Sequence, residues 1–171
     1  MSGCKCCSHS LCLFILNMKA FVPILQFVLI SFLVGYISML LQRESLVVWY
    51  PTLVKSSLTP PGTVFAIVWG VLYLLMGISA GLVWNLRTMF SWMLVLLFIV
   101  QLILNLAWSF SFFYMQSPVL AFAVLVVLFM FVVLYVTGCY TQNKWAAIIN
   151  IPYLLWLVFA GYLNLYVVIN N

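Results

Sequence analysis

Two apolar segments each carry a row of amide and aromatic side chains at helical spacing. One row, at steps of four, three and four residues, consists of Gln101, Asn105, Trp108 and Phe112. The other, at steps of three, three, four and four residues, consists of Asn150, Tyr153, Trp156, Ala160 and Asn164. Side chains at such steps share one face of a helix. Amides inside a membrane are costly unless they face the interior and find partners, so we expect both rows to point inward.

A third row of bulky side chains follows the turn Thr59-Pro60-Pro61-Gly62, where Thr59 is predicted to cap a helix and Pro60 to be its first residue. The row consists of Phe65, Trp69, Tyr73 and Met76, followed by Gly77. Helix packing alone would explain such a stripe, and the amides Asn105 and Asn164 could simply join helices. We favour the wall of a ligand pocket, because three matching faces occur and the small Ala160 leaves room among large neighbours.

The residue types that are missing limit the chemistry of such a pocket. No acidic, basic or histidine side chain lies clearly inside an apolar segment, as a proton relay or cation-coupled transporter would need. No carboxylate pair, Ser-His-Asp set or phosphate-binding glycine loop can be assembled, so no conventional catalytic or metal site is expected and no cofactor is required. An aromatic site with a few amides suits a flat, apolar ligand with few polar groups, such as a tetrapyrrole or a sterol.

The composition places these segments in a membrane. The chain has 171 residues, 68% of them hydrophobic and 4% charged, whereas soluble domains carry about 25% charged residues. Six Lys or Arg residues and the single acid Glu44 give a net charge of +5. The basic residues are scattered, which suits lipid headgroups and gives no nucleic-acid-binding patch.

Five apolar segments are long enough to cross a bilayer, and they predict an all-α integral membrane protein built as a five-transmembrane-helix bundle. They cover residues 20–41, 64–84, 91–113, 119–139 and 146–169. Three of the breaks are short, so consecutive helices should be antiparallel neighbours. The first loop, residues 42–63, is long and half apolar, and we interpret it either as a lid across one end of the bundle or as a segment resting on lipid.

Residues 1–17 differ from the rest of the chain and are interpreted as a dispensable N-terminal extension of a single membrane domain, residues 18–171. A cleaved signal peptide is the competing interpretation, although the following apolar run is long for one. Four cysteines near His9 could bind a metal or carry lipid, but they lack a second ligand pair at zinc spacing; they are Cys4, Cys6, Cys7 and Cys12. Gly77 and Gly81 form a small-xxx-small step that could serve the bundle or a homodimer.

In its ordered motifs the chain resembles the translocator protein family, also called tryptophan-rich sensory proteins or peripheral-type benzodiazepine receptors. The first-half motifs are Trp49-Tyr50, Lys55 ahead of Pro60-Pro61, Phe65 to Trp69, Leu72-Tyr73 and Met76-Gly77. The second-half motifs are Gln101, Leu104-Asn105, Trp108-Ser109, Phe112-Phe113, Pro152 to Trp156, Phe159-Ala160 and Leu163-Asn164. The resemblance extends over roughly residues 20–170.

That resemblance implies a five-helix homodimer in a bacterial envelope membrane or the mitochondrial outer membrane. It implies a pocket beneath the first loop for porphyrins, haem-like tetrapyrroles and benzodiazepine-type drugs. The matching pocket positions are Tyr50, Pro60, Trp69, Asn105, Trp108, Trp156 and Ala160. Bacterial members of the family are associated with light- and oxygen-dependent breakdown of protoporphyrin, and Trp69 and Trp156 match the two tryptophans implicated there. The alternative function is a sterol or lipid transporter, or a stress-regulatory receptor acting through partner proteins.

Departures from the family pattern refine these expectations. Residues 55–58 read Lys-Ser-Ser-Leu where the family has Lys-Pro-Ser-aromatic, which predicts a looser lid. Phe110 replaces a proline, which predicts the loss of a kink, and Val124 replaces an acidic residue. The animal sterol-recognition pattern is missing because no Lys or Arg follows Tyr166. These differences favour a bacterial-type tetrapyrrole role over a steroidogenic one.

Overall fold

A computed structural model describes the backbone of residues 9–171 and the side chains from residue 21 onward. Every regular element in this part of the chain is helical. The order is α1 (His9–Val48), a 3₁₀ turn (Tyr50–Thr52), α2 (Gly62–Trp84), α3 (Met89–Ser109) with a π-helical turn (Phe110–Tyr114), α4 (Pro118–Gln142), α5 (Lys144–Ile148) and α6 (Ile151–Asn170). The predicted extension, residues 1–17, and its cysteines lie outside the described side chains.

Five membrane-length spans are confirmed, and the fifth consists of α5 and α6 together. Their mean hydropathies range from 1.8 to 3.2. Large apolar side chains such as Leu29 and Leu33 on α1 remain exposed, as lipid-facing positions of an integral membrane protein should be. The fold is therefore the predicted five-helix membrane bundle.

Helices α1 and α2 approach each other closely, and glycine makes this approach possible. A Cβ atom added at Gly77 would lie 2.4 Å from the Cα of Val28, and one at Gly81 would lie 2.4 Å from the Cα of Ile24. The small-xxx-small step therefore serves contact within the bundle, which was one of the two uses left open by the sequence.

The end of the bundle at the C-terminus of α2 is packed solid around buried aromatic and small side chains. The Ser79 hydroxyl lies 2.9 Å from the Tyr135 hydroxyl and donates to the Ala146 carbonyl at 2.8 Å, which joins α2, α4 and α5. A capping box begins α3, because the Thr88 and Ser91 side chains each accept from the other's backbone N–H.

Three predicted boundaries are wrong. The loop expected at residue 42 begins only after Val48, because the polar residues that end the apolar run contain no helix breaker. Thr59 does not cap α2, which begins at Gly62 after Pro61. The helix expected over residues 146–169 is interrupted at Ile149 and Asn150, ahead of Pro152, whose ring and missing N–H disfavour a continuous helix.

The helix is irregular from Phe110 onward, although the proline of the family pattern is missing there. The backbone widens into a π-helical turn at Phe110–Tyr114 without a proline. Phe112 and Phe113, adjacent in sequence, are both buried there. Such turns are frequent at functional sites because they redirect side chains.

Candidate functional site

A cavity of about 450 Å³ lies between α1, α2, α3 and α6, beneath the lid, which we define as residues 49–61. Six of the seven predicted pocket residues line it: Tyr50, Pro60, Trp69, Asn105, Trp108 and Ala160. Its volume is within the range of small-molecule sites, about 300–1,000 Å³. The lid interpretation of the first loop therefore describes the structure better than a segment resting on lipid.

Near-parallel aromatic rings form one wall of the cavity. The ring centroids of Trp69 and Trp108 are 6.4 Å apart with an interplanar angle of 27°, and Trp108 and Phe112 are 5.7 Å apart at 25°. A third ring between two planes needs about 7 Å, since each stacked contact takes about 3.5 Å. A flat ligand would therefore lie against a face of this wall rather than between its two indoles.

The amide Asn105 is placed at the inner end of the cavity by α3. Its Nδ2 donates to the Tyr153 hydroxyl at 2.7 Å and to the Gln101 carbonyl at 3.1 Å. Its Oδ1 is buried and has no hydrogen-bond partner among the described residues. Asn105 thus joins α3 to α6, while its Oδ1 remains a buried acceptor without a partner in the described part of the chain, which is costly.

Asn164 bridges three helices and also lines the cavity. Its Oδ1 accepts from Trp108 Nε1 at 3.1 Å, and its Nδ2 donates to the Pro118 carbonyl at 2.8 Å. Both ends of the amide are therefore used, and α3, α4 and α6 are joined at one point. This bond also fixes the Trp108 ring in the cavity wall.

The lid is held by a hydrogen bond within itself and by hydrogen bonds to α6 and the residue after it. Within the lid, Lys55 Nζ donates to the Tyr50 carbonyl at 2.9 Å and lies 4.5 Å from the centre of the Tyr50 ring. After α6, Asn171 Oδ1 accepts from the Val54 N–H at 2.9 Å and its Nδ2 donates to the Val54 carbonyl at 3.2 Å. Ser56, which replaces the family's proline, adds a 3.1 Å hydrogen bond to the Tyr162 hydroxyl.

Tyr50 connects the lid to the π-helical turn. Its ring centroid lies 6.4 Å from that of Phe112 and 5.9 Å from that of Phe113. Burial raises the pKa of the Tyr50 phenol above its ordinary value. The phenol therefore stays neutral at physiological pH and keeps its O–H donor at the cavity.

Trp156 is the predicted pocket residue that does not line the cavity. It borders a separate apolar groove between α2 and α6, and its ring lies 5.3 Å from that of Phe65 and 5.4 Å from that of Phe159. At 3.6 residues per turn it stands about 60° around α6 from Tyr153, at the edge of the inward face. Phe65, the other side of that contact, does line the cavity.

The sequence pattern missed the contribution of α1. Seven of its residues line the cavity: Phe32, Gly35, Tyr36, Ser38, Met39, Gln42 and Leu46. Their helical spacing was available as a signal, but α1 has no row of amides to mark an inward face. Within the part of the chain that the structure describes, no group of His, Cys, Asp and Glu could hold a metal.

Comparison with known proteins assigns this architecture to a family. Residues 27–169 match the model of the TspO/MBR family. The chain is 41% identical over 120 residues to the tryptophan-rich protein TspO of Chlorobaculum tepidum, covering 68% of this chain and 75% of that protein. It is 34% identical over 155 residues to the translocator protein of Bos taurus, covering 84% and 86%, and 34% identical over 116 residues to the tryptophan-rich sensory protein of Cereibacter sphaeroides, covering 68% and 72%. The chain belongs to the TspO/MBR family of multi-pass integral membrane proteins.

Proposed function

We propose that the chain binds porphyrin- and haem-type tetrapyrroles in the cavity beneath the lid and acts in their sensing, transport or light-dependent degradation. The observation that supports this most is the near-parallel pair of Trp69 and Trp108 in an otherwise apolar cavity of about 450 Å³. Flat aromatic ligands stack on such rings. The names of two relatives, tryptophan-rich sensory protein and translocator protein, agree with sensing or transport of a small molecule.

A planar macrocycle with polar groups matches the other walls as well. Tyr50 lines the cavity, and its neutral phenol can donate to an acceptor of the ligand. Ala160, a small side chain, also lines the cavity. The tetrapyrrole is the ligand, and the proposal requires no cofactor.

The degradative part of the proposal assigns unequal roles to the two tryptophans named by the family resemblance. An excited porphyrin can take an electron from an indole in contact with it. Dioxygen is the oxidant in the breakdown of the macrocycle. Trp69 lines the cavity, whereas Trp156 borders the groove on the other side of Phe65. The ligand should therefore quench the fluorescence of Trp69, and react with its indole, far more than is the case for Trp156.

The homodimer implied by the resemblance belongs to the same proposal. The helix surface at Gly77 and Gly81 is already covered by α1, so it is not available for close contact with a second copy. A dimer would use lipid-facing surfaces of other helices.

Titration of protoporphyrin IX into the purified protein in the dark, followed by tryptophan fluorescence, tests the proposal. We expect saturable quenching. Trp69→Phe should weaken the affinity for the porphyrin roughly two- to tenfold, because a smaller ring stacks less. The matched variant Trp156→Phe should change the affinity much less. Under light in air, Trp69→Phe should also slow porphyrin loss. Quenching that does not saturate, or equal effects of the two variants, would refute this site; displacement of the porphyrin by cholesterol would favour the sterol alternative.

A further inference from the structure

We infer that the cavity selects ligands that carry a carboxylate, and that Lys55 is the residue that binds it. The inference rests on the proposed function, since it names the chemical class of ligand for the same site. It starts from the charge of the cavity lining. Among the described residues that line the cavity, Lys55 is the one with a formal charge, and the remainder are apolar, aromatic, hydroxyl or amide side chains.

Lys55 is half-buried and its ammonium is incompletely paired by the protein. Nζ donates one hydrogen bond, to the Tyr50 carbonyl, and faces the Tyr50 ring. An ammonium group has three donors, so two remain for another partner. Removing a charge from water without a counter-charge is unfavourable, and a ligand that supplied one would therefore gain affinity.

The chain itself offers almost no counter-charge. Its single acid is Glu44, which is exposed on α1 and does not line the cavity. With six basic residues and a net charge of +5, the protein attracts anions as a whole. A carboxylate that approaches Lys55 therefore meets no competing acidic side chain in the cavity lining.

The position of Lys55 defines how such a ligand would lie. Lys55 belongs to the lid, as does the polar Thr59, whereas Trp69 and Trp108 form the wall below. The apolar rings of the ligand would contact the indoles and its acid would point to the lid. A tetrapyrrole with carboxylate side chains has this division of polarity, and a neutral sterol does not.

Protoporphyrin IX and its dimethyl ester test the inference, because they share the macrocycle and differ in the two carboxylates. We expect the unmodified protein to bind the diacid about tenfold more tightly than the ester, as a charge-assisted contact allows. Lys55→Met keeps the length of the side chain and removes its charge. It should reduce binding of the diacid to about the level of the ester and affect ester binding much less.

Two controls separate this contact from general electrostatics. Arg43→Gln removes a positive charge from an exposed position on α1 that does not line the cavity, and it should leave the preference for the diacid intact. Added salt should weaken binding of the diacid but not of the ester. Differences in detergent partitioning of the two ligands cancel when variants are compared in the same micelles.

The outcomes separate the inference from the proposed function. If neither porphyrin binds saturably, the proposed function fails. If both bind the unmodified protein equally, or if Lys55→Met and Arg43→Gln weaken diacid binding equally, the tetrapyrrole site stands and the role of Lys55 is refuted. Equal loss of both ligands in Lys55→Met would also refute it, because that result assigns Lys55 to holding the lid.

Discussion

Replacing Gly77 with alanine tests the packing on which the bundle depends. The added Cβ would lie 2.4 Å from the Cα of Val28 and 2.6 Å from its backbone nitrogen. These are main-chain atoms, so no side-chain rotation can relieve the contact. To restore the 3.4 Å of an ordinary contact, α1 would have to move about 1 Å from α2.

The expected cost follows from a comparison within the same helix. Overpacking a tight contact costs about 1–3 kcal/mol, while replacing a helical glycine with alanine gains up to about 1 kcal/mol. Gly70 has no atom within 4 Å of an added Cβ, so Gly70→Ala should show the gain alone. The helix-propensity gain is common to both variants, and their difference in unfolding free energy should therefore be the overpacking cost of about 1–3 kcal/mol.

This difference can be measured by unfolding each variant in mixed micelles with an increasing fraction of denaturing detergent. The measurement is made without ligand, because Gly70 lines the cavity. We expect Gly70→Ala to be more stable than the unmodified protein and Gly77→Ala to be less stable. Gly81→Ala should repeat the effect of Gly77→Ala, because its Cβ would lie 2.4 Å from the Cα of Ile24. If Gly77→Ala unfolds at the same point as Gly70→Ala, the close α1–α2 contact is not part of the native structure.

Two further predictions concern the lid and the cavity wall. Asn171→Ala removes both hydrogen bonds to the Val54 backbone, worth about 1–2 kcal/mol together, so amide exchange of the Val54 N–H should accelerate roughly five- to thirtyfold. Asn170→Ala is the matched control, since the Asn170 amide bonds within its own helix, and equal exchange in both variants would show that the lid is not held there. Trp108→Phe leaves Asn164 Oδ1 buried without its donor and should cost about 1–3 kcal/mol of unfolding free energy beyond the lost packing. In the Trp108→Phe background, Asn164→Leu should lower the unfolding free energy by less than it does in the unmodified protein. Strictly additive effects of the two substitutions would contradict the hydrogen bond between Trp108 and Asn164.

The sequence predicted the number and type of helices because 3.6-residue periodicity and apolar length are local properties. Boundaries were less predictable where tertiary contacts decide them. The last turns of α1 continue past the expected end at residue 41, and there the Ser45 hydroxyl donates to the Phe113 carbonyl. That bond joins residues far apart in the chain, and no local pattern could indicate it.

The site was predictable to the extent that polar side chains marked the inward faces. Asn105 and Trp108 were placed correctly because an amide in a membrane segment requires a partner. Trp156 was not, since it stands about 60° around α6 from Tyr153, at the edge of the inward face, and borders the groove between α2 and α6. The cavity-lining residues of α1 could not be predicted, because apolar side chains such as Phe32 are equally suitable at a cavity-facing and a lipid-facing position.

The cavity exists because α2 packs differently along its length. At Gly77 a Cβ would meet the backbone of α1 at 2.4 Å, whereas at Gly70, two turns nearer the lid, it would meet nothing within 4 Å. Between them, the Tyr73 ring fills a notch at Gly35, where an added Cβ would lie 2.7 Å from it. Tyr73 therefore forms a floor that separates a close-packed half of the bundle from an open half. Packing at Gly77 and the shape of the cavity at Gly70 can therefore vary independently.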